Sequence, residues 1–111
     1  MEAGEPPLRV RGIELRYLLT WLLCQDGPCG VGELIDRLAM YGFDVEGRPS
    51  KTVSDALRWE IRRGRLMRPY RDWYMLGDIP RATEDRIHKR VLRLRIQAGT
   101  LSAERAALYD F

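Results

Sequence analysis

The stretch RPSKTVSDALRWEIRRGRLMRPYR, Arg48 to Arg71, decides how this chain is read, because its apolar period changes once and its charge lies on one side. Pro49 disfavours helix at Arg48 and allows one to begin directly after it. Ser50 or Thr52 is the expected N-cap, the helix runs from about Lys51 to Arg63, and Gly64 stops it. At 100° per residue Val53, Ala56, Leu57 and Ile61 fall on one side of this helix, and Lys51, Asp55, Arg58 and Arg62 fall opposite. After Gly64 the spacing becomes alternating, which predicts a short hairpin with Trp73-Tyr74-Met75-Leu76 on its return strand and a tip near Tyr70 to Asp72. Pro69, lacking an N–H, fits an edge or a bulge there.

Charge is uneven along the chain. Between Arg48 and Arg71 eight basic residues (Arg48, Lys51, Arg58, Arg62, Arg63, Arg65, Arg68, Arg71) face only Asp55 and Glu60, a local net of +6 in a protein whose total is +3. Residues 1–47 carry four basic and eight acidic residues, and residues 72–111 are close to balance with seven against six. Such a distribution implies a polarised molecule, one face able to approach a polyanion and another repelling it.

Outward from this stretch, the first ten residues are rich in Pro and Glu and read as a frayed, flexible N-terminus. Ile13, Leu15, Leu18, Leu19, Leu22 and Leu23 predict a first helix of about residues 11–24, with Tyr17 and Trp21 packing at the core edge. Asp26-Gly27-Pro28 marks a turn, and Cys29-Gly30-Val31 is long enough only for an edge strand. A second helix over Glu33 to Tyr41, apolar at Leu34, Ile35 and Leu38 and mostly acidic outside, ends at Gly42. Met40, Met67 and Met75 read as fillers of core gaps, and Trp59 and Trp73 as packing between hairpin and helix. Residues 11–79 thus form one unit, ordered helix, short strand, helix, turn, helix, hairpin, and residues 80–111 a helical extension.

The extension predicts a helix from about Thr83 to Ala98, whose seam is Ile87, Val91, Leu94 and Ala98. Leu92 and Ile96 lie nearly opposite that seam, so a second chain is expected to cover them, making a homodimer through this helix. Ser102 caps a further short helix within residues 102–109.

Function classes are narrowed by what the sequence lacks. With one histidine, His88, and no glycine-rich phosphate loop, nucleophile motif or spaced carboxylate pair, no catalytic constellation can be assembled, and an enzyme is not expected. Cys24 and Cys29 read as unlinked thiols, since two further zinc ligands cannot be found; no metal or cofactor is expected. No apolar run approaches the roughly 20 residues of a membrane span, and the start has no basic segment followed by an apolar one, so a cytoplasmic protein is expected.

The phrase from Gly47 to Arg65 resembles the recognition-helix segment of small winged-helix proteins found in actinobacteria. The element order from Ile13 to Leu76 is similar to winged-helix and restriction-associated helix-turn-helix modules, and Pro80 to Val91 resembles the continuation after their wing. About two thirds of the chain is covered. The wing departs from the commoner Gly-rich pattern through Met67, Pro69, Tyr70 and Asp72. This resemblance implies a mostly α winged helix with a small β-hairpin and a C-terminal helical extension, and a nucleic-acid role with no particular target; together with the basic segment it leads to the expectation of double-stranded DNA binding as a transcriptional regulator.

On that reading Ser50, Lys51, Ser54, Asp55 and Arg58 approach base edges, with Thr52 beside them. Arg62, Arg63, Arg65, Arg68 and Arg71 meet phosphates, with Tyr70 and Arg71 at the wing tip over a backbone or minor groove, and Arg48 is a further DNA-binding candidate. Asp55 either selects bases or orients Lys51 or Arg58 through a surface pair. The alternative class is a protein–protein interaction module built on the same scaffold within a larger assembly.

Overall fold

Leu15, Tyr17, Leu18, Leu19, Trp21, Leu22 and Leu23 are all buried, so the helix that carries them, α1 (Gly12–Asp26), is apolar nearly all round and must lie at the centre. The computed structural model describes residues 6–108. In chain order the elements are β1 (Leu8–Val10), α1, α2 (Val31–Met40), β2 (Phe43–Val45), α3 (Pro49–Arg62), β3 (Leu66–Tyr70), β4 (Trp73–Leu76), α4 (Arg81–Gln97) and α5 (Ala103–Ala107). The fold is mostly helical, with one antiparallel hairpin and a helical C-terminal part. Around α1 pack α2, α3, β4 and α4, and one core joins Leu34 and Leu38 of α2, Val53 and Leu57 of α3, Leu66, Tyr74, and Ile87, Val91 and Leu94 of α4.

The start of the chain differs from the frayed segment expected over residues 1–10. Residues 1–5 lie outside the described residues, but Leu8–Val10 is a strand parallel to β2, with Leu8 opposite Phe43 and Val10 opposite Val45. Val10, Phe43 and Val45 point into the core, whereas Arg9 and Asp44 alternate outward and pair at 3.4 Å. Two three-residue strands are each too short to stand alone; burial of their alternate side chains holds them.

In α3 the cap differs from both expected residues. Pro49 occupies the first turn, which its fixed φ favours, and Arg48 is the N-cap in extended conformation with no side-chain cap bond. Thr52 donates its hydroxyl to the Glu46 carbonyl at 2.8 Å, fastening the preceding loop to the helix. The last long helix starts at Arg81, after Pro80, and not at Thr83, whereas Ser102 caps α5 as expected, accepting from the Arg105 N–H at 3.1 Å.

The hairpin closes through a two-residue turn, Arg71-Asp72, between the cross-strand pair Tyr70 and Trp73, and its irregularity between Met67 and Tyr70 absorbs Arg68 and Pro69. It is fastened at both ends. At its root Gly77 donates its N–H to the Arg65 carbonyl at 2.7 Å, and a Cβ on Gly77 would run into the Gly64 carbonyl. Toward its tip Tyr74 and Cys29 exchange two backbone hydrogen bonds, of 3.1 and 2.9 Å, so the predicted edge strand survives as a single antiparallel bridge. Asp72 then accepts the Val31 N–H at 2.9 Å, which supplies the start of α2 with the side-chain cap its own N-cap, Gly30, lacks. The approach is close: a Cβ on Gly30 would stand 2.8 Å from an Asp72 carboxylate oxygen.

Expectations for the C-terminal part divide. Ile87, Val91, Leu94 and Ala98 are buried in the main core, as their spacing predicts. Leu92, assigned to a dimer contact, is instead buried against Leu101 and Ala106, because the chain after α4 folds back and lays α5 over it. Of the two dimer residues only Ile96 stays exposed. Met40 and Met67 are likewise exposed, Met40 at 78%, instead of filling the core. Among the described residues no helix is long and apolar enough to cross a membrane.

Asp72 is the one non-glycine residue described with positive φ, at 51°. Asp72→Ala keeps a Cβ in the left-handed region and loses the cap on α2, lowering unfolding free energy by about 1 kcal/mol. Asp72→Gly loses the same cap but sheds the left-handed cost, so it destabilises less than Asp72→Ala. Urea denaturation of the two variants checks both the order and the size.

Candidate nucleic-acid interface

The two sides of α3 separate as its sequence predicts. Val53 and Leu57 are fully buried and Ala56 and Ile61 partly so, whereas Lys51, Asp55, Arg58 and Arg62 are exposed. Arg48 and Ser50 are exposed at the start of the helix, and Arg63, Arg68, Tyr70 and Arg71 are exposed beyond it. Ser54 is half-buried, and with Arg58, Ile61, Arg68 and Tyr74 it lines a cleft of about 190 Å³ between α3 and the hairpin. The outward side of the helix and the basic side of β3 therefore border one concavity. Arg68 also lies 5.7 Å over the Tyr74 ring, within cation–π range.

Asp55 sits between the two cations expected to read bases. It accepts from Lys51 Nζ at 2.9 Å and from Arg58 Nη1 at 3.4 Å. The Lys51 hydrogen bond, reinforced by the charges of Lys51 and Arg58, holds the Asp55 carboxyl below the usual range. The orienting alternative is thus the arrangement present: one carboxylate spaces two cations along the exposed side.

Glu60 is the residue whose importance sequence reasoning missed. It was counted as an offset to the basic run, yet its side chain is 0% exposed. Oε2 accepts from Arg65 Nη1 at 3.3 Å, and Oε1 stands 3.3 Å from Arg16 Nε without an aligned hydrogen bond, held by charge alone. The Arg16 and Arg65 side chains are only about a fifth exposed, at 23% and 22%. A signal existed: Glu60 lies three residues after Leu57 and seven after Val53, on the apolar side of the wheel.

Two assignments change in consequence. Arg65, expected on the phosphate backbone, turns inward to neutralise Glu60 and is withdrawn from the exposed cations. Thr52 is engaged by the Glu46 carbonyl and is half-buried, so its side chain belongs to the loop. Trp59 is bracketed by the guanidinium groups of Arg16, at 4.9 Å, and Arg63, at 5.0 Å from its ring centre, which ties α1 to the end of α3. Trp73, expected between hairpin and helix, is exposed.

The acidic side is built differently. On α2, Glu33 and Asp36 are exposed, and Arg37 is shared among Glu33 at 3.5 Å, Asp26 at 3.9 Å and the Cys29 sulfur at 3.2 Å. Burial pushes the Cys29 thiol up, against the opposing charge of Arg37. Both cysteines are free thiols.

Removing one member of a buried charge cluster leaves its partners uncompensated. Glu60→Ala is expected to lower unfolding free energy by about 3 kcal/mol, the low end for a broken buried pair because both guanidinium groups keep some water. Glu60→Gln, which keeps an acceptor, loses less. Chemical denaturation followed by tryptophan fluorescence gives both values.

No family model, no curated protein and no solved structure matches this chain.

Proposed function

We propose that the chain is a winged-helix protein that binds double-stranded DNA with sequence selectivity, as a transcriptional regulator, with α3 in the major groove and the hairpin as its wing. The observation that carries this reading is the cleft lined by Arg58 of α3 and Arg68 of β3, because it joins the helix and the hairpin into one basic surface. An α-helix fits a major groove, and its first turns come closest to base edges. Ser50, Lys51, Ser54 and Arg58 occupy those turns, with Asp55 spacing the two cations.

Arg48, Arg62, Arg63, Arg68 and Arg71 serve the phosphates. They are exposed, and among the described residues none of the five pairs with a carboxylate within 4.0 Å. The acidic exterior of α2 supports the same orientation, since it disfavours approach to DNA by that side. Rigid fastening of the hairpin at Gly77, Cys29 and Asp72 supports a wing whose geometry is set before binding.

Five phosphate contacts correspond to a slope of about −4.5 in log affinity against log salt. Fluorescence anisotropy on duplexes selected from a random pool measures it. Lys51→Glu combined with Arg58→Glu should weaken the selected duplex about a hundredfold, two base contacts being lost, while circular dichroism stays unchanged. A slope near −1, or equal binding by the folded double variant, overturns the reading.

A further inference from the structure

Alternation along the hairpin sorts its side chains into two faces. Leu66 and Tyr74 are buried, and Arg68 reaches the Tyr74 ring; these belong to the inner face, toward α3 and the core. The cross-strand pairs Met67–Met75 and Tyr70–Trp73 form the outer face. There Tyr70 is 65% exposed, Met67 49% and Trp73 36%, and the Tyr70 and Trp73 rings lie 6.4 Å apart at an interplanar angle of 29°. A two-strand hairpin thus presents an exposed aromatic stack flanked by an exposed methionine.

A patch of this kind marks a partner surface, and its surroundings say which chemistry the partner has. Arg71 opens the two-residue turn, immediately after Tyr70, and is exposed, whereas Arg68 belongs to the inner face. The acid of the turn, Asp72, is directed onto the Val31 N–H, and among the described residues Arg71 pairs with no carboxylate within 4.0 Å. Flat aromatic surface beside a guanidinium group is the combination that takes up a polyanion whose units also offer flat π-faces. Within a paired duplex those faces are already stacked on one another. An unpaired nucleotide has a face to give.

We infer that the Tyr70–Trp73 stack is a platform for an unpaired base, with Arg71 on the adjoining phosphate, so that the protein prefers DNA carrying a single-stranded extension or an extruded base beside the wing. This rests on the DNA-binding reading above and goes beyond it: α3 engages the duplex and the wing tip engages the point where pairing ends. The platform is prepared in advance, since the tip is fixed by Asp72 to α2 and by Tyr74 to Cys29. Stacking on it therefore orders little of the protein.

The test compares a blunt selected duplex with the same duplex carrying a short single-stranded thymidine extension, using the full chain and reading the ratio of the two dissociation constants by anisotropy. The extended probe is expected to bind at least about fivefold tighter, the lower range for one base stacked on an aromatic side chain. Trp73→Ala brings the ratio to about one, whereas Trp73→Phe, which keeps a π-face, retains most of the preference. A ratio near one for the unaltered protein, with blunt-duplex binding intact, overturns this inference and leaves the proposed function standing. Failure of both probes to bind overturns the two together. A ratio unchanged in a folded Trp73→Ala protein removes the platform, as does a dimer in sedimentation that Trp73→Ala dissolves, because the patch then belongs to a second copy of the chain.

Discussion

The carboxylate of Glu60 is the constraint on which the arrangement of this molecule turns. A charge with no exposed surface is tolerated only where opposite charge meets it, and Glu60 meets Arg16 from α1 and Arg65 from the start of the hairpin. The first helix and the root of the hairpin are thereby held to one point on α3. Apolar packing between α1 and α3 would by itself accept small slides, since hydrophobic contact is non-directional. An ion cluster with its partners at 3.3 Å accepts far fewer. The cluster is best understood as setting the position of the hairpin root relative to α3, and only secondarily as a source of stability, because the desolvation of three charged groups offsets much of their attraction.

The opposite end of the hairpin is held by hydrogen bonds instead of ion pairs. Two backbone bonds to Cys29 and the Asp72 cap on Val31 join the tip to the beginning of α2, and Gly30 leaves room for that approach. With its root tied to α3 and its tip tied to α2, the hairpin cannot swing independently of either helix. The spacing between Arg58 and Arg68 across their cleft is in this way a property of the core.

Periodicity made α1, α2 and α3 legible, along with the hairpin and its turn, because in each case the deciding contacts recur every three or four residues or every second one. The Ser102 cap was legible for the same local reason. What escaped depends on residues far apart. Leu8–Val10 is a strand only because Phe43–Val45 lies beside it, and no local pattern of three residues announces such a partner. Leu92 looked unpartnered on a helical wheel; its cover arrives from Leu101 and Ala106 after the chain reverses past Gly99, whose φ is 77°. Of the candidate site, the exposed cations of α3 followed from the wheel, whereas Arg65 was misassigned because summing charge along a segment cannot tell a cation at the surface from one spent on a buried acid.

That last misassignment leaves the electrostatic argument intact, for a reason in the pairing itself. Arg65 and Glu60 withdraw together, one charge of each sign, so the segment from Arg48 to Arg71 still presents seven basic residues against Asp55 and its net remains +6. The surviving acid stands between Lys51 and Arg58, where it lowers the charge at the start of α3 relative to the hairpin and the end of the helix. A polyanion approaching this surface meets its strongest attraction at Arg62, Arg63, Arg68 and Arg71, and a weaker, more directional field where Lys51 and Arg58 are held apart. The strong, unpaired charge and the paired, spaced charge thus lie at different ends of one surface.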